Sequence, residues 1–176
     1  MERERILLVD ASNHFHRAFN NPTAELSAPD GFPTTALHGF FQIIHSIEKK
    51  YPSEYIVLVF DKGKSFRNEI FPEYKGNRAV KSNEFRQQWN EITSLCEAFG
   101  YPVYKKDDGY EADDIIGTLA RKFEEQNDII IFSGDKDFAQ LVNDNIALLS
   151  PKKPAGLRFM DPKELVRKYG VEPDQI

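Results

Sequence analysis

Three short apolar runs in this chain each finish on an aspartate, and that repetition constrains the fold more than any other feature. Arg5-Ile-Leu-Leu-Val-Asp10, Tyr55-Ile-Val-Leu-Val-Phe-Asp61 and Asp128-Ile-Ile-Ile-Phe-Ser-Gly-Asp135 are rich in strand formers and show no polar alternation. A strand that is apolar at successive positions is covered on both faces, the condition of a parallel sheet between two layers of helix. Shorter runs at Tyr101-Pro-Val-Tyr104 and Ile146-Ala-Leu-Leu149 add two more strands. Helical patterns alternate with them over Thr34 to Lys50, Ser82 to Phe99, Ala112 to Glu125 and Asp137 to Val142. A last short helix is framed by Asp161 as cap, Pro162 at its first position and Gly170 just past its end. The expected fold is α/β, with a mainly parallel central sheet flanked by helices on both faces.

A chain of 176 residues encloses one sizeable core, so a single domain over 1–176 is expected. No apolar run approaches the roughly 20 residues that span a bilayer, and the chain opens on charged residues, which leads to the expectation of a cytoplasmic protein with no membrane partner. Cys96 is the single cysteine and lies at helical spacing with Ile92, Leu95 and Phe99, as a small buried hydrophobe would. His14, His16, His38 and His45 read as surface or packing residues, and Trp89 as part of helix packing. Net charge is −5, against a nucleic-acid partner at face value. The distribution points the other way, because residues 62 to 81 hold six Lys/Arg against two Asp/Glu.

In parallel α/β sheets the groups that reach a ligand sit at the carboxyl ends of strands, so Asp10, Asp61 and Asp135 are expected as neighbours. Gly109-Tyr-Glu-Ala-Asp-Asp114 opens a helix and places Glu111, Asp113 and Asp114 near its first turn, and Asp137 follows Asp135 by two positions. Taken singly, an acid after a strand is an ordinary turn or cap residue, and acids at a helix start complement its dipole. Seven together repel one another unless a cation compensates. Oxygen donors with few histidines nearby suit Mg²⁺ or Mn²⁺, and two such ions can serve phosphoryl chemistry. Setting these seven acids aside turns the net charge from −5 to +2, which removes the objection to DNA.

Leu-Leu-Val-Asp10, Val-Phe-Asp61 with Ser65-Phe-Arg67, Phe71-Pro-Glu-Tyr-Lys-Gly-Asn-Arg78, Gly109-Tyr-Glu-Ala-Asp-Asp114, Ser133-Gly-Asp-Lys-Asp137 and Lys168-Tyr-Gly-Val-Glu-Pro-Asp-Gln175 stand in an order and spacing that resembles the 5′ nuclease family. That family, PIN-like in fold, takes in the nuclease domain of bacterial DNA polymerase I, phage 5′ exonucleases and flap endonucleases. The resemblance implies a 5′-3′ exonuclease or flap endonuclease core that hydrolyses branched or flapped DNA near a 5′ end. It puts Asp10, Asp61, Glu111, Asp113, Asp114, Asp135 and Asp137 at a two-ion Mg²⁺ or Mn²⁺ site. It makes 62–82 a helical arch or gateway in which Tyr74, Lys75, Arg78 and Arg67 meet DNA, with Lys75 and Arg17 stabilising charge on the scissile phosphate. The family continues past the Gly-Val-x-Pro-Asp-Gln stretch into a turn with two further metal-binding Asp and a helix-hairpin module, whereas this sequence ends at Ile176. On that reading 161–176 leads into a segment supplied elsewhere, by a C-terminal piece or a DNA polymerase; the second ion is incompletely liganded, and residues 1–176 bind metal but cleave weakly. Two alternatives stay open: a PIN-type ribonuclease, and a non-catalytic DNA-binding or assembly module. A receiver domain fits less well, since Asp10 is followed by Ala11-Ser12-Asn13 rather than by a second acid.

Overall fold

The computed structural model describes residues 3–20, 24–76, 80–105, 109–152 and 156–176, the side chain of Asp174 excepted. Its centre is a sheet of β1 (Glu4–Asp10), β2 (Tyr55–Val59), β3 (Val103–Tyr104), β4 (Asn127–Phe132), β5 (Ile146–Pro151) and β6 (Leu157–Met160), in the order β3-β2-β1-β4-β5-β6. The first five are parallel, and β6 alone runs antiparallel, beside β5. β1 is central, with Leu8 opposite Val57 on one side and Ile131 on the other.

The uninterrupted apolar run of β1 has its cause in two separate cores. Leu7 and Val9 point into a layer made with α1 (Ala11–Phe19), α2 (Thr35–Lys50) and α4 (Asn83–Ala98), through Phe15, Phe40, Ile44, Phe85 and Ile92. Ile6 and Leu8 point the other way, toward Ile116 and Ala120 of α5 (Ala112–Phe123) and Leu165 of α6 (Pro162–Tyr169). Both sets are buried, so truncating Leu8 to Ala should cost about 2–5 kcal/mol. Thr34 at the start of α2 makes no side-chain cap; the buried Gln88 of α4 accepts from the N–H groups of Ala36 (2.8 Å) and Leu37 (3.3 Å) instead. That bond fixes the angle of α2 against α4.

Several elements differ from the sequence-based expectation, among them α1 and the short helix Arg67–Ile70, which the helical patterns do not mark. β6 is not among the expected strands: four residues on an edge, of which only Met160 is buried, close an antiparallel pair with β5 and carry neither the length nor the burial that marks the inner strands. The segment after Asp135 is a 3-10 turn, Lys136–Leu141, in which the Asp135 side chain accepts from the Asp137 N–H. The last helix is as expected, capped by Asp161 and ended by Gly170 at φ 76°. Among the described residues no helix is long and apolar enough to cross a membrane.

Candidate metal and phosphate site

From β1 the chain first builds outward to β2 and β3, then returns to place β4 on the other flank of β1. A crevice opens where the direction of building reverses, at the carboxyl ends of β1 and β4. Asp10, the last residue of β1, lies there and is buried. Its Oδ1 accepts from the Asn13 N–H at 3.0 Å, and its Oδ2 from the Ser133 hydroxyl at 2.7 Å. The Ser133 oxygen in turn accepts from the Asp135 N–H at 3.0 Å. Asn13 Oδ1 accepts from the Gly134 N–H at 3.3 Å, and a Cβ on residue 134 would stand 2.8 Å from that oxygen, so a larger residue there would push the Asn13 side chain aside. From the β2 side, the Asp61 N–H donates to Ser12 Oγ at 2.7 Å, while Asp61 Oδ1 accepts from the Ala112 N–H at 2.8 Å. This last bond draws the first turn of α5, and with it Asp113, into the same crevice.

Charge behaves differently on the two sides of that turn. Burial pushes the Asp10 carboxyl up to about 6, against the pull of Ser133 and Asn13 and helped by repulsion from Asp61 and Asp135. Asp113 is pushed up to about 7, first by loss of solvent around its carboxyl group, then by Asp10, Asp135 and Asp61. Asp10, Asp61, Asp113 and Asp135 therefore act on one another as a quartet of poorly compensated acids. Asp114 is the opposite case. The Arg67 guanidinium, from the short helix α3 (Arg67–Ile70), grips both its oxygens at 2.8 and 2.7 Å and holds it below the usual carboxylate range. Glu111 accepts from Lys75 Nζ at 2.6 Å, the Tyr74 hydroxyl at 3.1 Å and Arg67 at 3.3 Å. Lys75 takes φ 57°, the one non-glycine in the left-handed region among the described residues. Asp137 joins Glu111, Asp113, Asp114 and Asp135 in lining a cleft of about 740 Å³, with Arg67 and Tyr74 on its wall.

The seven acids singled out in the sequence thus gather at the carboxyl end of the sheet: the quartet, the pair Glu111 and Asp114 held by Lys75 and Arg67, and Asp137 in the cleft beside them. Arg17 stands apart from them: it is exposed on α1 and lines a neighbouring groove of about 1470 Å³ with Asn13, His14, His38 and Phe132, a groove whose wall carries no acid among the described residues. Arg78 lies outside the described residues. His14 is a core residue, stacked on Phe132 and bonded through Nε2 to the Phe132 carbonyl. Ser12, Asn13 and Ser133 escape a reading of the sequence; their only signal is that small polar residues stand beside aspartates at strand ends. The donor set of the quartet, carboxylates without histidine, suits a hard divalent cation. Among the described residues no three acidic, histidine or cysteine groups stand together as a ready-made coordination shell, so a bound ion would have to draw the side chains inward.

The family model for the 5′-3′ exonuclease N-terminal resolvase-like domain matches residues 5–170. The chain belongs to this family. DNA polymerase I of Chloroflexus aurantiacus is 39% identical over 177 residues, which cover 97% of this chain and 19% of the polymerase. The 5′-3′ exonuclease of Aquifex aeolicus is 34% identical over 173 residues, 97% of this chain and 58% of the exonuclease. This member of the family therefore spans about a fifth of the polymerase and under two thirds of the exonuclease. Among solved structures, the bacteriophage T5 D15 protein co-crystallised with metal ions aligns with a TM-score of 0.77 at 24% identity, covering 97% of this chain and 63% of that one. The catalytic core of Rad2 in complex with DNA aligns at 0.56 and 18% identity, over 98% and 52%. At such identities the two structures establish the shared PIN-like 5′ nuclease fold.

Proposed function

We propose that this 5′-3′ exonuclease-family chain is the nuclease core of a structure-specific 5′ nuclease, cutting DNA phosphodiester bonds near the 5′ end of branched or flapped DNA with Mg²⁺ or Mn²⁺. The observation that carries the reading is the convergence of Asp10, Asp61, Asp113 and Asp135 from separate elements onto one crevice. These residues, with Glu111, Asp114 and Asp137 beside them, would hold up to two divalent ions. When bound, such ions polarise a phosphoryl group and make water a better nucleophile at neutral pH.

The chain's own part is positioning. Lys75 would exchange its Glu111 partner for the scissile phosphate as a point charge, while Tyr74 offers a ring to an unpaired base. Residues 62–82 would form the gateway over the crevice, Arg67 and Arg78 contributing phosphate contacts. Arg17 would hold the backbone of the same strand where it passes Asn13 into the neighbouring groove. The reading further places the protein in the cytoplasm, acting within or beside a DNA polymerase. The test is a side-by-side cleavage assay on 5′-flap DNA and single-stranded RNA, with Mg²⁺ and with EDTA, using the chain joined to the C-terminal segment that its longer relatives carry. Mg²⁺-dependent products from flap DNA are expected; products from RNA alone would replace this reading with a ribonuclease.

A further inference from the structure

Ser133 is fully buried at the point where β4 ends, and its backbone is fixed by donation of its N–H to the Leu149 carbonyl on β5 at 3.1 Å. A hydroxyl has one proton to give and two lone pairs to receive with. Here the proton goes to Asp10 Oδ2 at 2.7 Å and a lone pair takes the Asp135 N–H at 3.0 Å. One side chain thereby joins two acids that are far apart in the chain, one at the end of β1 and the other just past the end of β4.

We propose that Ser133 is a positioning residue of the cation site, its hydroxyl setting the rotation of the Asp10 carboxylate and the path of the chain into Asp135 at once. The inference rests on the metal reading of Asp10 and Asp135 given above. Each Asp10 oxygen already accepts one fixed bond, Oδ1 from Asn13 N–H and Oδ2 from Ser133. The remaining lone pairs of Asp10 are thus held in defined directions, so that this ligand is preset while the other acids are drawn inward around the ion. The same loop is clipped to α1 a second time through Gly134 N–H and Asn13 Oδ1. Removing the Ser133 hydroxyl would free the Asp10 carboxyl group to turn and would loosen Asp135, while leaving every proposed ligand in the sequence. Partners of this kind behind metal ligands change affinity by about 10–100-fold.

The experiment is a Mn²⁺ titration of the unmodified chain, Ser133→Ala and Ser133→Thr by calorimetry or by electron paramagnetic resonance of free Mn²⁺, each protein first shown to unfold cooperatively. Ser133→Ala is expected to raise the Mn²⁺ Kd about 10–100-fold, and Ser133→Thr, which keeps the hydroxyl, to bind within a few-fold of the unmodified chain. Should Ser133→Ala not fold, Ser133→Cys keeps the volume with a much weaker donor and carries the same expectation. A Ser133→Ala affinity indistinguishable from that of the unmodified chain would overturn the proposal, as would a Ser133→Thr variant as weak as Ser133→Ala. If the unmodified chain binds no Mn²⁺, the metal reading itself fails and the proposal with it, a result separable from the others because it needs no variant.

Discussion

Asp113 and Asp114 are adjacent in the chain and lie in the same first turn of α5, yet they are in opposite electrostatic states. Asp113 faces Asp10, Asp61 and Asp135 and is driven toward protonation. Asp114 faces the Arg67 fork and is held ionised. The turn divides the site into a side that wants a cation and a side that already has cations in the form of Arg67 and Lys75. What separates the two is compensation rather than the number of acids, and the same division fits a site that takes metal on one face and phosphate on the other.

The division can be broken most forcefully on the quartet side. Replacing Asp135 or Asp61 by Asn in an active form of the enzyme should lower turnover by ~10³-fold, a few kcal/mol of lost charge stabilisation, and leave DNA affinity within a few-fold. An Asp135→Asn enzyme that still turns over normally would remove the quartet from the mechanism. Lys75→Ala should cut turnover by about 10²-fold without weakening Mn²⁺ binding, since it releases Glu111; weaker Mn²⁺ binding would erase the distinction between the two sides.

Acid titration sharpens the same contrast in the metal-free protein. Asp10 rises from 3.8 to about 6 on folding and Asp113 to about 7, so the folded state holds protons that the unfolded state has given up. Their stabilising contribution is complete below the unfolded value and lost as pH climbs through the folded one. In EDTA, stability should therefore fall by roughly 1–1.5 kcal/mol from the buried Asp10 between about pH 5 and about pH 8, with a smaller addition from Asp113, whose carboxyl group is only partly withdrawn from solvent. Denaturant melts across that range check it, and excess Mg²⁺ should flatten the slope. The smallest effect belongs to Arg67→Ala, expected to cost about 0.5–1 kcal/mol because the pair with Asp114 is partly open to solvent. Urea unfolding measures it.

Much of this is visible in the sequence because it is encoded locally. Inner strands buried on both faces show as apolar runs, and an aspartate at the end of each gives the edge of the sheet where chemistry belongs. The Asp161, Pro162 and Gly170 framing of α6 is likewise a local signal. What cannot be read there depends on contacts between distant residues. Lys75 and Glu111 are 36 positions apart and Arg67 and Asp114 are 47 apart, so no window of sequence tells that these acids are neutralised while Asp113 is not. The Ser133 bond to Asp10 crosses 123 positions. β6 is silent for another reason: an edge strand needs only one partner and one buried face, which leaves too little apolar pattern to stand out.

The central claim, that acids from separate elements are gathered for a divalent cation, is tested most directly by a crystal structure of this chain grown with Mn²⁺ and read by anomalous scattering. A Mn²⁺ peak is expected in the crevice between Asp10, Asp113 and Asp135, with the Arg67 to Asp114 pair intact beside it. A saturated crystal with no peak in that crevice, or with Mn²⁺ only on carboxylates elsewhere on the surface, would contradict it.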